Sequence, residues 1–110
     1  MSYVMLIGGG PLQRPMAKEI KQRGYELLVT DADPHCACAE LADQFVPIST
    51  YDIQAHLRLA QDFLLADNLP AAVLTDAADI GPTVSAVAIV LGLPACGFHA
   101  AESARNKAAF

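Results

Sequence analysis

The sequence predicts an α/β domain: a doubly wound, mainly parallel sheet of four or five strands with helices on both faces. Three observations lead there. Apolar runs of strand length, Tyr3–Ile7, Tyr25–Thr30 and Ala71–Thr75, place hydrophobic residues at successive positions, as strands buried on both faces require. Between them lie segments with hydrophobic spacings of three and four, bounded by helix-start and helix-stop residues. The first apolar run also breaks into Gly8-Gly9-Gly10-Pro11 just before a helical pattern begins.

The elements follow in order. Val4, Met5, Leu6 and Ile7 make the first strand. Gly8, Gly9 and Gly10 lack Cβ atoms, so the backbone can turn sharply there and present N–H groups to a ligand. An alanine at Gly9 is therefore expected to impair a loop that must approach a ligand closely. The helix that follows aims the positive end of its dipole at the same spot, and Pro15 suits its first turn. Met16, Ala17, Ile20 and Gly24 fall on one side of it; Lys18, Glu19, Lys21, Gln22 and Arg23 cover the other, and Gly24 closes it. Tyr25–Thr30 is the second strand, ending on Asp31, so the unit is a right-handed strand–helix–strand crossover.

A loop runs from Asp31 through Asp33, Pro34, His35, Cys36 and Cys38 to a helical turn over Ala39–Ala42. Gln44–Ile48 reads as a third strand, placed at a sheet edge by Pro47. Ser49, Thr50 and Asp52 are N-cap residues for a long helix. Its predicted stripe is Ile53, Leu57, Ala60 and Leu64, widened by Leu59 and Phe63, and it ends at Asn68 before Pro70. The fourth strand leads to Asp76 and Asp79. A helix over Pro82–Leu91, closed by Gly92, is apolar nearly all round and so must be covered on more than one side. Ala95–Phe98 is a short fifth strand, and another helix begins at Ala100. The expected strand order is 3-2-1-4-5.

Composition narrows the partners. A chain of 110 residues with 54% hydrophobic content is one domain with one core. Seven Lys+Arg against 12 Asp+Glu, a net charge of −5, argue against a nucleic-acid partner, which needs clustered positive charge. Three cysteines without a signal-peptide pattern suggest free thiols and a cytoplasmic location. Ile80–Ala101 carries no Asp, Glu, Lys or Arg, but its glycines and prolines exclude a membrane span.

In a sheet of this kind ligands bind at the carboxyl ends of the strands, where the winding reverses. That edge gathers Gly8, Gly9 and Gly10 with Asp31, Asp76 and Asp79; the bland reading of each is a tight turn or a solvated loop cap. The glycines resemble the dinucleotide fingerprint, with Asp31 near the place of a ribose-binding acid, but Gln13 stands where the third glycine belongs. His35, Cys36 and Cys38 offer no second cluster to complete a metal tetrahedron, so no metal is expected, and the thiols read as buried or idle. Cys96 reads as core; His56 and His99 read as surface or satisfied core positions. No nucleophile elbow, P-loop or Ser-His-Asp order is present.

Gly8-Gly9-Gly10, Gln13, Pro15, Ala17-Lys18 and Gly24-Tyr25 together resemble the N-terminal, pre-ATP-grasp domain of ATP-grasp ligases. The likeness continues through Asp31, Asp33-Pro34, Ala42-Asp43 and Asp52 to Gly92-Leu93-Pro94 and Asn106-Lys107-Ala108-Ala109. It is greatest to the branch of the carbamoyl-phosphate synthase large subunit and biotin carboxylase. The resemblance implies a Rossmann-like domain over residues 1–110, with 100–110 opening the connection to ATP-grasp domains. It implies an ATP- and Mg²⁺-dependent ligase joining a carboxylate to an amine, in which Gly8, Gly9, Gly10 and Gln13 face the substrate. Lys107 resembles a lysine that reaches ATP phosphates, although Asn106 replaces the usual Asp. ATP-grasp domains, in the same or a partner chain, are the implied partners, and no catalysis, ATP or Mg²⁺ use is expected of this chain alone. Two alternatives stay open: a free-standing nucleotide- or NAD-binding module, and a structural domain serving a homodimer or subunit interface.

Overall fold

The computed structural model describes residues 2–77 and 80–93. Four parallel strands, β1 (Tyr3–Ile7), β2 (Glu26–Thr30), β3 (Gln44–Val46) and β4 (Ala72–Leu74), lie in the order β3-β2-β1-β4. The expected order holds over these four, and Pro47 follows an edge strand as its missing N–H requires. The expected fifth strand, the helix from Ala100, Cys96 and His99 lie outside the described residues.

β1 pairs with both β2 and β4, and each of its five residues is buried, whereas β4 at the edge buries only Val73 fully. Helix α1 (Arg14–Gln22) covers one face, packing Ala17 and Ile20 onto Val4, Leu6, Leu27 and Val29. Helices α2 (Ile53–Leu65) and α3 (Gly81–Leu91) cover the other, enclosing Met5, Ile7, Leu28 and Val73.

Each helix ends with a residue in the left-handed region followed by a bond reaching back five residues. Gly24 (φ +88°) and Gly92 (φ +70°) end α1 and α3, with Tyr25 N–H donating to Ile20 O and Leu93 N–H to Ala88 O. At the end of α2 that residue is Asp67 (φ +52°), with Asn68 N–H on Phe63 O. Asn68 therefore follows the stop signal instead of making it.

The stripe of α2 is also rotated from the expected one. Leu64 is 44% exposed, while His56 is fully buried beside Ala60. β3 is shorter than expected, ending at Val46. Asp43 closes the opposite end of the sheet. Its carboxylate accepts from Leu27 N–H (2.7 Å) and pairs with Lys21, and these bonds hold it below the usual carboxylate range. α3 buries Thr83, Val84, Val87, Ala88 and Leu91, yet leaves Ile89 78% exposed.

Candidate functional site

The carboxyl ends of β1, β2 and β4 converge where the winding reverses on either side of β1. A cleft of about 340 Å³ opens there, lined by Gly10, Leu12, Gln13, Asp31, Thr50 and Tyr51 among others. Larger hollows lie beside Arg14 and Glu40 and between α1 and β4, but neither includes any of the three glycines.

The three glycines serve three different ends. Gly8 turns the chain at φ +94°, its N–H donating to Thr30 O at 2.7 Å. A Cβ there would lie 2.5 Å from Gln13 Nε2. Gly9 is locked on both sides: its N–H donates to Asp31 Oδ2 (2.9 Å) and its carbonyl accepts from Cys38 N–H (2.9 Å). A Cβ on Gly9 would meet Cys36 Sγ at 2.6 Å and Val29 Cγ1 at 3.0 Å. Alanine at Gly9 therefore tests packing before it tests ligand approach, contrary to the expectation from sequence. Gly10 has ordinary dihedrals (φ −67°, ψ 170°), and nothing lies within 4 Å of a Cβ built on it. Of the three it faces open space.

Gln13 occupies the crevice between β1 and β4. It is 4% exposed, and its amide donates to Ile7 O (3.0 Å) and Thr75 Oγ1 (3.4 Å) while accepting from Asp76 N–H (2.9 Å). The amide suits this place because it both donates and accepts, as its three neighbours require. The short helical turn Pro11–Gln13 that precedes α1 brings it there, with Gln13 N–H on Gly10 O. The expected helix thus starts as a tight turn, with Pro15 in the first turn of α1 as predicted.

Asp31 has both carboxylate oxygens engaged, Oδ2 with Gly9 N–H and Oδ1 with Asp33 N–H (2.9 Å). It fastens the glycine turn while lining the cleft. Asp76 is exposed at the end of β4, tied in through its backbone. Asp79 and Lys107 lie outside the described residues.

Cys36 and Cys38 pack beneath the turn, and Arg14 fixes their loop by donating to Ala37 O and to Glu40 (2.6 Å). Burial pushes both thiols above their ordinary pKa, helped by the Asp31 charge at Cys36 and opposed by Arg14 at Cys38, the direction that disfavours a reactive thiolate. Among the described residues no group of three His, Cys, Asp or Glu side chains is arranged to hold a metal.

Leu12 and Tyr51 are cleft residues that the sequence does not mark, and Thr50 is marked only as an N-cap, a part that Asp52 takes. Leu12 and Tyr51, 84% and 65% exposed, form the apolar rims of the cleft, and Thr50 is held by its carbonyl, which accepts from Thr83 Oγ1 at 2.7 Å. For Leu12 and Tyr51 the sequence offers no signal, because a large side chain beside a turn reads the same whether it rims a cleft or lies on a solvated loop.

A parallel sheet with a glycine turn and a cleft at the switch point defines the class of doubly wound α/β domains. Within that class the chain belongs to the ribonucleotide synthetase preATP-grasp domain family, whose model matches residues 1–90. An N5-carboxyaminoimidazole ribonucleotide synthase of Staphylococcus saprophyticus is 38% identical over 56 residues, 51% of this chain and 15% of that protein. The ADP complex of an N5-carboxyaminoimidazole ribonucleotide synthetase superposes with a TM-score of 0.67 at 28% identity, over 84% of this chain and 23% of that one. The corresponding synthetase of Thermotoga maritima gives 0.64 at 22% identity with the same coverage, a likeness of fold alone. The chain thus spans about 15% of the length of the curated relatives it matches.

Proposed function

We propose that this chain is the substrate-side domain of an ATP-dependent ligase that carboxylates the amine of an aminoimidazole ribonucleotide. The observation that carries this reading is the open cleft beside Gly10, in a domain of the ribonucleotide synthetase family. The relatives are named for N5-carboxyaminoimidazole ribonucleotide, whose chemistry is a carboxylate joined to an amine, and a solved relative binds ADP. ATP with Mg²⁺ would act in ATP-grasp domains of the same or a partner chain, with Lys107 reaching toward the phosphates at the junction. On this reading the chain alone is not a catalyst, and the working enzyme is cytoplasmic. No helix among the described residues is long and apolar enough to cross a membrane.

The chemistry of the lining refines the proposal. Among the described residues that line the cleft, Asp31 is the one charged side chain, and no Lys, Arg or His joins it. A nucleotide phosphate would find no cation here, and its charge must be met by groups outside this wall. The wall suits the neutral part of the ligand: hydroxyls toward Asp31 and Thr50, and a flat ring toward Leu12 and Tyr51. Asp76 and Asp79 would border the same edge from β4. Calorimetric titration of the chain with aminoimidazole ribonucleotide tests this: weak saturable binding is expected, and binding of NAD in its place would favour a dinucleotide module.

A further inference from the structure

His56 is absent from the cleft lining, yet its ring lies between the elements that form the two walls. It is fully buried on α2, with Nδ1 2.9 Å from Asp52 O and Nε2 2.8 Å from Thr30 Oγ1. A carbonyl can only accept, so Nδ1 carries the proton and Nε2 accepts from the Thr30 hydroxyl. Each partner leads to a different wall. Thr30 holds Gly8 N–H with its carbonyl, and the next residue, Asp31, holds Gly9 N–H. Asp52 is the N-cap of α2, accepting from Ala55 N–H at 3.0 Å, and directly follows Thr50 and Tyr51 of the opposite wall. Its N–H donates to Ser49 O (2.9 Å), and Ser49 Oγ accepts from Tyr51 N–H (3.3 Å), so the wall is anchored at the residue His56 touches.

A leucine would fill this volume without either bond, as apolar residues do elsewhere on the same face of α2. An imidazole with one donor and one acceptor does more, since it fixes the end of β2 at a set distance from the start of α2. We infer that His56 is a positioning residue of the cleft, holding the glycine wall and the Thr50–Tyr51 wall in register through Thr30 and Asp52. The inference rests on the cleft being the ligand site, and its test separates the two.

Thr30→Val keeps the shape of the side chain and removes the hydroxyl; Thr30→Ser keeps the hydroxyl. Amide ¹H–¹⁵N spectra of the 110-residue chain are recorded for all three proteins without ligand, and each is then titrated with aminoimidazole ribonucleotide. Thr30→Val is expected to shift the Gly8, Gly9 and Tyr51 amides together and to raise the dissociation constant by about five- to tenfold, the loss of roughly one hydrogen bond. Thr30→Ser is expected to restore the amide positions and come within about twofold in affinity. The Tyr51 amide is the deciding probe, because it is remote in sequence from Thr30 and joined to it through His56. If Tyr51 stays in place in Thr30→Val while only the melting temperature falls, His56 is a core residue and the inference is overturned. If the unmodified chain binds no nucleotide, the reading of the cleft fails, and the Tyr51 amide still decides the role of His56.

Discussion

Gly9 and Gly10 are neighbours in sequence with opposite surroundings. Gly9 is sealed by Asp31, Cys36 and Cys38, so its missing Cβ makes room for the protein itself. Gly10 faces the cleft with nothing near its absent Cβ, so whatever it makes room for is not part of this chain's described residues. The run is thus not uniform: Gly9 is sealed within the protein, Gly8 lines the cleft but has no room for a Cβ, and Gly10 lines it with open space beside it. Substitutions at adjacent positions should separate stability from binding.

The largest effect is expected inside the turn. Gly8→Ala must hold φ +94° with a Cβ 2.5 Å from Gln13 Nε2, and Gly9→Ala must displace Cys36 and Val29. Left-handed strain and overpacking together should cost about 2–4 kcal/mol for Gly8→Ala and about 1–3 kcal/mol for Gly9→Ala, read by urea unfolding. If either variant is as stable as the parent, the sealed half of the comparison is wrong. Next comes Gln13→Leu, which keeps the volume but strands the Asp76 N–H and Ile7 C=O; about 1–3 kcal/mol should be lost.

A smaller effect should appear with pH. Burial lowers the His56 pKa below the ordinary histidine value of 6.5, against the opposing influence of Asp52. The unfolded chain then binds the extra proton more readily, so stability is full above about pH 6.5 and falls as pH drops through the folded pKa. Asp43, held low mainly by Leu27 N–H, adds a loss of the same sign in the acid range of carboxylates. Melting curves from pH 8 to pH 5 should show the His56 component vanish in His56→Leu. The smallest change in stability is expected for Gly10→Val, within about 0.5 kcal/mol.

Local features were readable in the sequence because their causes are local. The buried run of β1, the βαβ crossover, the edge position implied by Pro47 and the caps at Gly24, Asp52 and Gly92 all follow from neighbours a few residues away. Gln13 was visible as a departure from a dinucleotide motif, but its role was not, since its partners Thr75 and Asp76 lie more than sixty residues on. His56 was unreadable for the same reason: only the packing of α2 on β2 brings Thr30 to its ring. Leu64 is exposed although hydrophobicity alone puts it inside, and of the two readings open for His56 the satisfied core position holds, because Thr30 at the end of β2 offers it a hydroxyl and the N-cap Asp52 of its own helix a carbonyl.

On the proposed reading, the open side of the glycine turn at Gly10 meets the ligand. This is tested most directly by titrating the 110-residue chain and its Gly10→Val variant with aminoimidazole ribonucleotide in the calorimeter, alongside their melting temperatures. Saturable binding by the parent is expected, weakened at least about tenfold in Gly10→Val, a difference of about 1.4 kcal/mol in binding with melting unchanged. Equal affinity in the two proteins, or none in the parent, would contradict the proposed reading.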